Sequence, residues 1–125
     1  MKKWVSWALS GIPAGMMAMS AGMKLAGVAG LAEGFAHMGV PLEMATGLGV
    51  LELACVAIYL VPRTAVLGAL LITGYMGGAT MTHLRVGDPA WTQPLLGAMA
   101  WGGLYLRDAR VRELLPLVQP AKRNE

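Results

Sequence analysis

The sequence predicts an all-α integral membrane protein, a four-helix bundle with a short interfacial helix between its first and second spans. Three observations predict it. The 125 residues are 56% hydrophobic and only 14% charged, against about 25% charged in a soluble domain, and mean hydropathy is +0.56. Three windows carry no charge at all, Trp4 to Met23, Thr64 to Thr82 and Pro89 to Leu106, and a fourth, Met44 to Pro62, carries only Glu52. Each window is roughly 18–20 residues, ~27–30 Å as helix, which is enough for a hydrocarbon core. The third observation is where the charge went: Lys2, Lys3, Arg63, Arg107, Arg110, Arg112, Lys122 and Arg123 fall at the N-terminus, the second turn and the C-terminal tail.

Taken in order, the first span covers about residues 4–26, with Trp4 and Trp7 as interfacial anchors and Pro13 as a kink position. Ser6, Ser10, Pro13, Met17, Ser20 and Lys24 recur at a spacing that makes one helical face, expected to turn inward. A basic Met1-Lys2-Lys3 start before an apolar run also fits a cleavable signal peptide, but the later spans need this one as a partner, so it is expected to be retained. Residues Gly27 to Pro41 are too short and too polar to span. There Leu31, Phe35 and Met38 against Glu33 and His37 predict an amphipathic helix lying at the outer interface.

The second span covers about 42–61 and stops at Pro62, because the residue before a proline disfavours the helical region. The third follows at about 64–84. Gly87 and Pro89 mark the next loop, and a fourth span runs from about 91 to 106. A basic tail punctuated by Pro116 and Pro120 fills 107–125, with disorder expected beyond Pro120. Together these make one domain over residues 1–125. Seventeen glycines against one phenylalanine suit helices that approach closely in lipid. Gly74/Gly78 and the Gly11/Gly15/Ala18/Gly22 series are the expected contact faces.

Eight of the ten basic residues lie on one side of such a bundle, and only Lys24 and Arg85 fall at the other two connections. The positive-inside rule then puts both termini in the cytoplasm of an inner-membrane protein. The same distribution excludes nucleic acid as a partner, because the net charge of +3 is a topology signal and not a patch. Membrane lipid is the expected partner. Cys55 is alone, which excludes an intrachain disulfide and a CxxC redox centre and leaves it as a small core residue.

Glu52 is the principal candidate for chemistry. A charge near the bilayer midplane costs at least about 2.5–3.5 kcal/mol, so one that persists has a partner or a task. It shares a face with Ala45, Leu48, Gly49, Cys55, Val56 and Tyr59, whose small members admit a neighbouring helix or a flat ligand. As a neutral acid it would donate to a carbonyl or exchange a proton with it. The competing reading is a structural Glu bonded to a first-span serine or to Tyr75. Lys24 is the evident counter-charge, but aligning span centres sets it about ten residues away in depth, ~15 Å, so a direct pair, a bridging water or a ligand headgroup all stay open. His83 and Arg85 end the third span near the depth of Lys24, a basic rim suited to a phenolate, semiquinone, carboxylate or phospholipid head; the alternative is that Glu33, Glu43 and Asp88, on the same side, neutralise it. His37 and His83 stand on separate segments, so no metal site is expected.

An ordered set of short motifs runs through these elements. Ser20-Ala21-Gly22-Met23-Lys24 closes the first span, Gly49-Val50-Leu51-Glu52-Leu53 lies in the second, and Pro62-Arg63-Thr64-Ala65 makes the turn. Tyr75-Met76-Gly77-Gly78-Ala79, His83-Leu84-Arg85-Val86-Gly87 and the Arg107-Asp108 exit complete it. In these the chain resembles the DoxX-like family of small four-helix bacterial membrane proteins. The resemblance implies a multi-pass inner-membrane protein, and through relatives described as membrane oxidoreductase subunits, among them a thiosulfate:quinone enzyme, a quinone as ligand and an oxidoreductase as partner. The leading expectation is a site for a quinone-like or other small hydrophobic molecule, with Glu52 at its base, Lys24, His83 and Arg85 at its mouth and Tyr75 beside it. A structural or assembly subunit without ligand chemistry is the alternative. A membrane-embedded isomerase or hydrolase using Glu52 as acid and base is the third.

Overall fold

The computed structural model describes residues 2–114; the disorder expected beyond Pro120 lies outside the described residues. The elements are α1 (Lys2–Ala26), α2 (Leu31–Met38), α3 (Ala45–Leu60), α4 (Ala65–Arg85), α5 (Thr92–Arg107) and α6 (Ala109–Leu114). Single 3-10 turns at Leu42–Met44 and Pro62–Thr64 lead into α3 and α4. No strand occurs among the described residues. Helix ends agree with the sequence reading to within a residue or two, apart from the 3-10 entry to α3. In the segment read as tail, Ala109–Leu114 forms a short helix whose Val111 is buried.

Local chemistry accounts for the junctions. Helix α3 stops at Val61, which is extended at φ −85°, ψ 120° ahead of Pro62. The Thr64 hydroxyl then donates to the Ile58 carbonyl at 2.8 Å, meeting one of the acceptors that a helix end leaves open. So short a connection makes α3 and α4 antiparallel neighbours. Gly39 (φ 71°) closes α2 in the left-handed region, its N–H directed at the Ala36 and Phe35 carbonyls. Pro13 is buried inside an α1 that runs on unbroken as helix.

Helix α1 packs against α3 and α5, and α4 packs against the same two, so α3 and α5 stand at opposite corners. The core holds Met17, Cys55, Tyr59, Ile72, Met76, Leu96 and Leu104. On α1, Ser6, Ser10, Pro13 and Met17 are buried and Ser20 and Lys24 half-buried, which is the inward face the spacing predicts. The glycine faces need correction. Gly11, Gly15, Gly22, Gly74 and Gly78 have open space where a Cβ would stand. Close approach occurs instead at Gly68, where an added Cβ would fall on the Tyr59 backbone, and at Gly103, against Ser10 and the Ser6 carbonyl. Small-residue spacing marks what lets a backbone come near, and it reads the same on a lipid face or a cavity wall.

Leu42–Leu60 and Pro62–Arg85 are each long and apolar enough to cross a membrane; among the described residues α1 qualifies only together with α2, the two being bent by 105°. Helix α5 has 16 residues, ~24 Å. Large apolar side chains line the outside, including Ile12, Met19, Val50, Leu67, Leu70 and Met81. An apolar exterior of this extent marks a surface that meets lipid.

Candidate functional site

Glu52 lies on the buried face of α3 with Ala45, Gly49, Cys55, Val56 and Tyr59, and is 2% exposed. The Ser20 hydroxyl donates to its Oε1 at 3.2 Å, and Lys24 Nζ donates to the same oxygen at 2.9 Å and to Ser20 Oγ at 2.6 Å. A buried carboxylate thus meets its counter-charge directly, with a hydroxyl bridging the two. Centre-to-centre alignment put Lys24 too far away. The register is set instead by Gly49, which sits against Ala21 and Leu25 of α1. Glu52 is therefore about one turn from Lys24 in depth, a distance the lysine stem covers.

A cavity of about 460 Å³ opens beside this pair, within the size range of small-molecule sites. Helix α1 supplies Met17, Ser20 and Lys24, and α3 supplies Leu48 and Glu52. Tyr75, Met76 and His83 of α4 and Gln93 and Leu96 of α5 form the far walls. Phe35 and Met38 of α2 close the top, which makes the short helix a cover for the site. Gly74 and Gly78, read as helix contacts, line this space instead.

The cover is fastened by polar contacts. The imidazoles of His37, on α2, and His83, on α4, meet one carboxylate, Asp88, at 3.0 and 3.4 Å. The His37 bond, then that of His83, holds the Asp88 carboxyl below the usual carboxylate range. The Arg85 guanidinium donates to the Met38 carbonyl at 2.7 Å. The structure thus brings Glu52, Lys24, Tyr75 and His83 around one cavity and leaves Arg85 off its lining, at the end of α2. The basic rim read from the sequence is engaged: Lys24 with Glu52, His83 with Asp88, Arg85 with a main-chain carbonyl.

Sequence reasoning missed Gln93 and the roofing role of Phe35 and Met38; it set Asp88 beside the rim as one of three acids able to neutralise it, without its joint contact with His37 and His83. Gln93 had a readable signal, as the sole amide side chain in the four apolar windows. The opposite end of the helices is closed by a different polar knot. Arg107 donates to Ser10 Oγ and lies 4.2 Å over the Trp7 ring, while the Tyr59 hydroxyl donates to the Ala100 carbonyl at 2.6 Å and Ser6 to that of Gly103 at 2.9 Å. These groups satisfy one another and hold α1, α3 and α5 together.

The fold is that of a small helical membrane protein with a cavity among its helices. The chain belongs to the DoxX-like family, whose model matches residues 8–103 and so takes in every residue lining the cavity. No curated protein and no solved structure matches the chain.

Proposed function

We propose that the chain is a four-helix membrane bundle of the bacterial inner membrane, both termini cytoplasmic, whose cavity binds a small, largely apolar, quinone-like molecule as accessory to a membrane oxidoreductase. The observation that carries this reading is the cavity of about 460 Å³ that ends on the Lys24–Glu52 pair. Half of its walls are Met, Leu, Phe and Gly, with Val40 and Ala79 adding to the apolar lining, which suits a flat apolar body. With the cations engaged, the ligand is a neutral molecule and not an anionic headgroup. An ammonium has three donors; the two given to Ser20 and Glu52 leave one for a ligand carbonyl. The test is titration of the detergent-solubilised protein with decylubiquinone: saturable binding that is removed by Ala79→Phe, which puts a ring into the cavity from its α4 wall. Non-saturating partition that Ala79→Phe leaves unchanged refutes it.

A second reading, a structural or assembly subunit, is favoured by one observation: Glu52 Oε1 is already met by Ser20 and Lys24. Under that reading Ala79→Phe binds a partner and accumulates as the parent chain does, with no ligand to lose.

A further inference from the structure

We infer that the second carboxylate oxygen of Glu52, Oε2, and the Tyr75 hydroxyl form a subsite for a hydroxyl group. The cavity then takes phenols, the reduced hydroquinone form of a quinone among them, ahead of the same molecules with that oxygen capped or oxidised. This rests on the ligand-site reading above and narrows its ligand from any flat apolar molecule to one that presents an O–H to Glu52.

The carboxylate is only half engaged. Ser20 and Lys24 both bond Oε1, and no donor among the described residues reaches Oε2. Glu52 is 98% buried and lines the cavity, as Tyr75 does from the α4 wall. The Tyr75 hydroxyl stands beside that carboxylate without closing a hydrogen bond of normal geometry onto it. Neither atom is sealed in the packing: the one side-chain nitrogen or oxygen among the described residues that is both buried and unpartnered belongs to Gln93. The two free groups of the pair therefore open on the cavity that both residues line.

Their chemistry selects the ligand. Paired with Lys24 at 2.9 Å, the carboxylate is ionised and accepts only. A hydroxyl is both donor and acceptor, so one ligand oxygen can donate to Oε2 and accept from Tyr75. A carbonyl or ether oxygen can accept from Tyr75 but sets its lone pairs against Oε2. The bond to the ionised oxygen is the stronger of the two. Apolar neighbours such as Met17, Met76 and Leu96 raise the cost of leaving that oxygen unmet. The spare donor of Lys24 is left for a carbonyl on the same ligand.

The experiment titrates the full-length protein in detergent with para-hexylphenol and its methyl ether, para-hexylanisole. The two share an apolar body and an acceptor oxygen and differ in the O–H. The parent chain is expected to bind the phenol about tenfold more tightly, the scale of one hydrogen bond to a charged acceptor. Glu52→Gln can keep an amide oxygen on Lys24 and turn its NH2 to the cavity, so it should bring the two affinities together. Tyr75→Phe should weaken both probes by a similar factor and keep the phenol preference, because each loses only the bond it accepts. Equal affinities in the parent chain, or a preference for the ether, overturn the subsite while leaving the ligand site standing. A phenol preference that survives in Glu52→Gln does the same, and affinities untouched by Tyr75→Phe overturn the tyrosine's part. Binding of neither probe to the parent chain overturns the ligand site and the subsite together. Infrared difference spectra of the parent chain read the contact even where Glu52→Gln does not fold. The carboxylate stretch should shift with the phenol and not with the ether, and no shift with either overturns the assignment to Glu52.

Discussion

Lys24 Nζ lies 2.9 Å from Glu52 Oε1, joining α1 to α3 through a carboxylate that is almost wholly buried and an ammonium that is not. The asymmetry decides what each change should do. Removing the carboxylate charge frees a lysine that is 16% exposed and retains a route outward, whereas removing the lysine strands a buried anion. Breaking a buried pair costs on the order of 3–5 kcal/mol, less where the remaining group can escape.

Lys24→Met is accordingly expected to lower the thermal midpoint more than Glu52→Gln. The double variant should recover most of the loss, because neither charge is then left alone. Thermal unfolding followed by circular dichroism in detergent reads all three. A double variant no more stable than Lys24→Met would show that the pair contributes nothing as a pair.

Helix contacts give a sharper contrast. Gly68→Ala places a Cβ on the Tyr59 backbone across a connection too short to relax, and should cost about 1–3 kcal/mol. Gly11→Ala meets open space and should be neutral or stabilising by up to about 1 kcal/mol through helix propensity. The same unfolding measurement tests both, and equal effects would contradict the packing described.

The helices themselves were legible because charge-free windows, Pro62 and Gly87 delimit them in any context. The inward face of α1 was legible too, since Ser6, Ser10, Met17, Ser20 and Lys24 keep a helical period. The glycines misled, because Gly74 and Gly78 show the same spacing whether they face a helix or a void. The depth of Lys24 relative to Glu52 was also hidden: it depends on the contact of Gly49 with α1, which no count along the chain supplies. Asp88 joins His37 and His83 only once α2 folds back over α4, so that fastening has no local sequence signature.

The fastening has a pH dependence of fixed sign. The Asp88 carboxyl is held below its ordinary value of 3.8, chiefly by His37 and then by His83. Its contribution is therefore fully present above 3.8 and is lost as pH falls through the lowered value. Hydrogen exchange in Leu31–Met38 should be slow near neutrality and accelerate only in that acid range. Asp88→Asn should exchange fast at both. Protection of α2 that ignores both acid and the substitution would mean that the roof is held by Phe35 and Met38 alone.

Orientation is tested by single-cysteine labelling with Cys55 replaced. Cysteines at Glu33 and Val86 should react with an impermeant maleimide added to intact cells, since the basic residues concentrate at the other end. Labelling of either position only after the inner face is opened would reverse the topology.

The central claim is that the cavity beside Lys24 and Glu52 holds a small apolar molecule in the membrane, and mass spectrometry of small molecules co-purifying with the protein tests it most directly. A discrete non-lipid species should accompany the parent chain in near-stoichiometric amount and be absent from Ala79→Phe purified in parallel. Only detergent and bulk lipid in both, or the same species in equal amount in both, would contradict it.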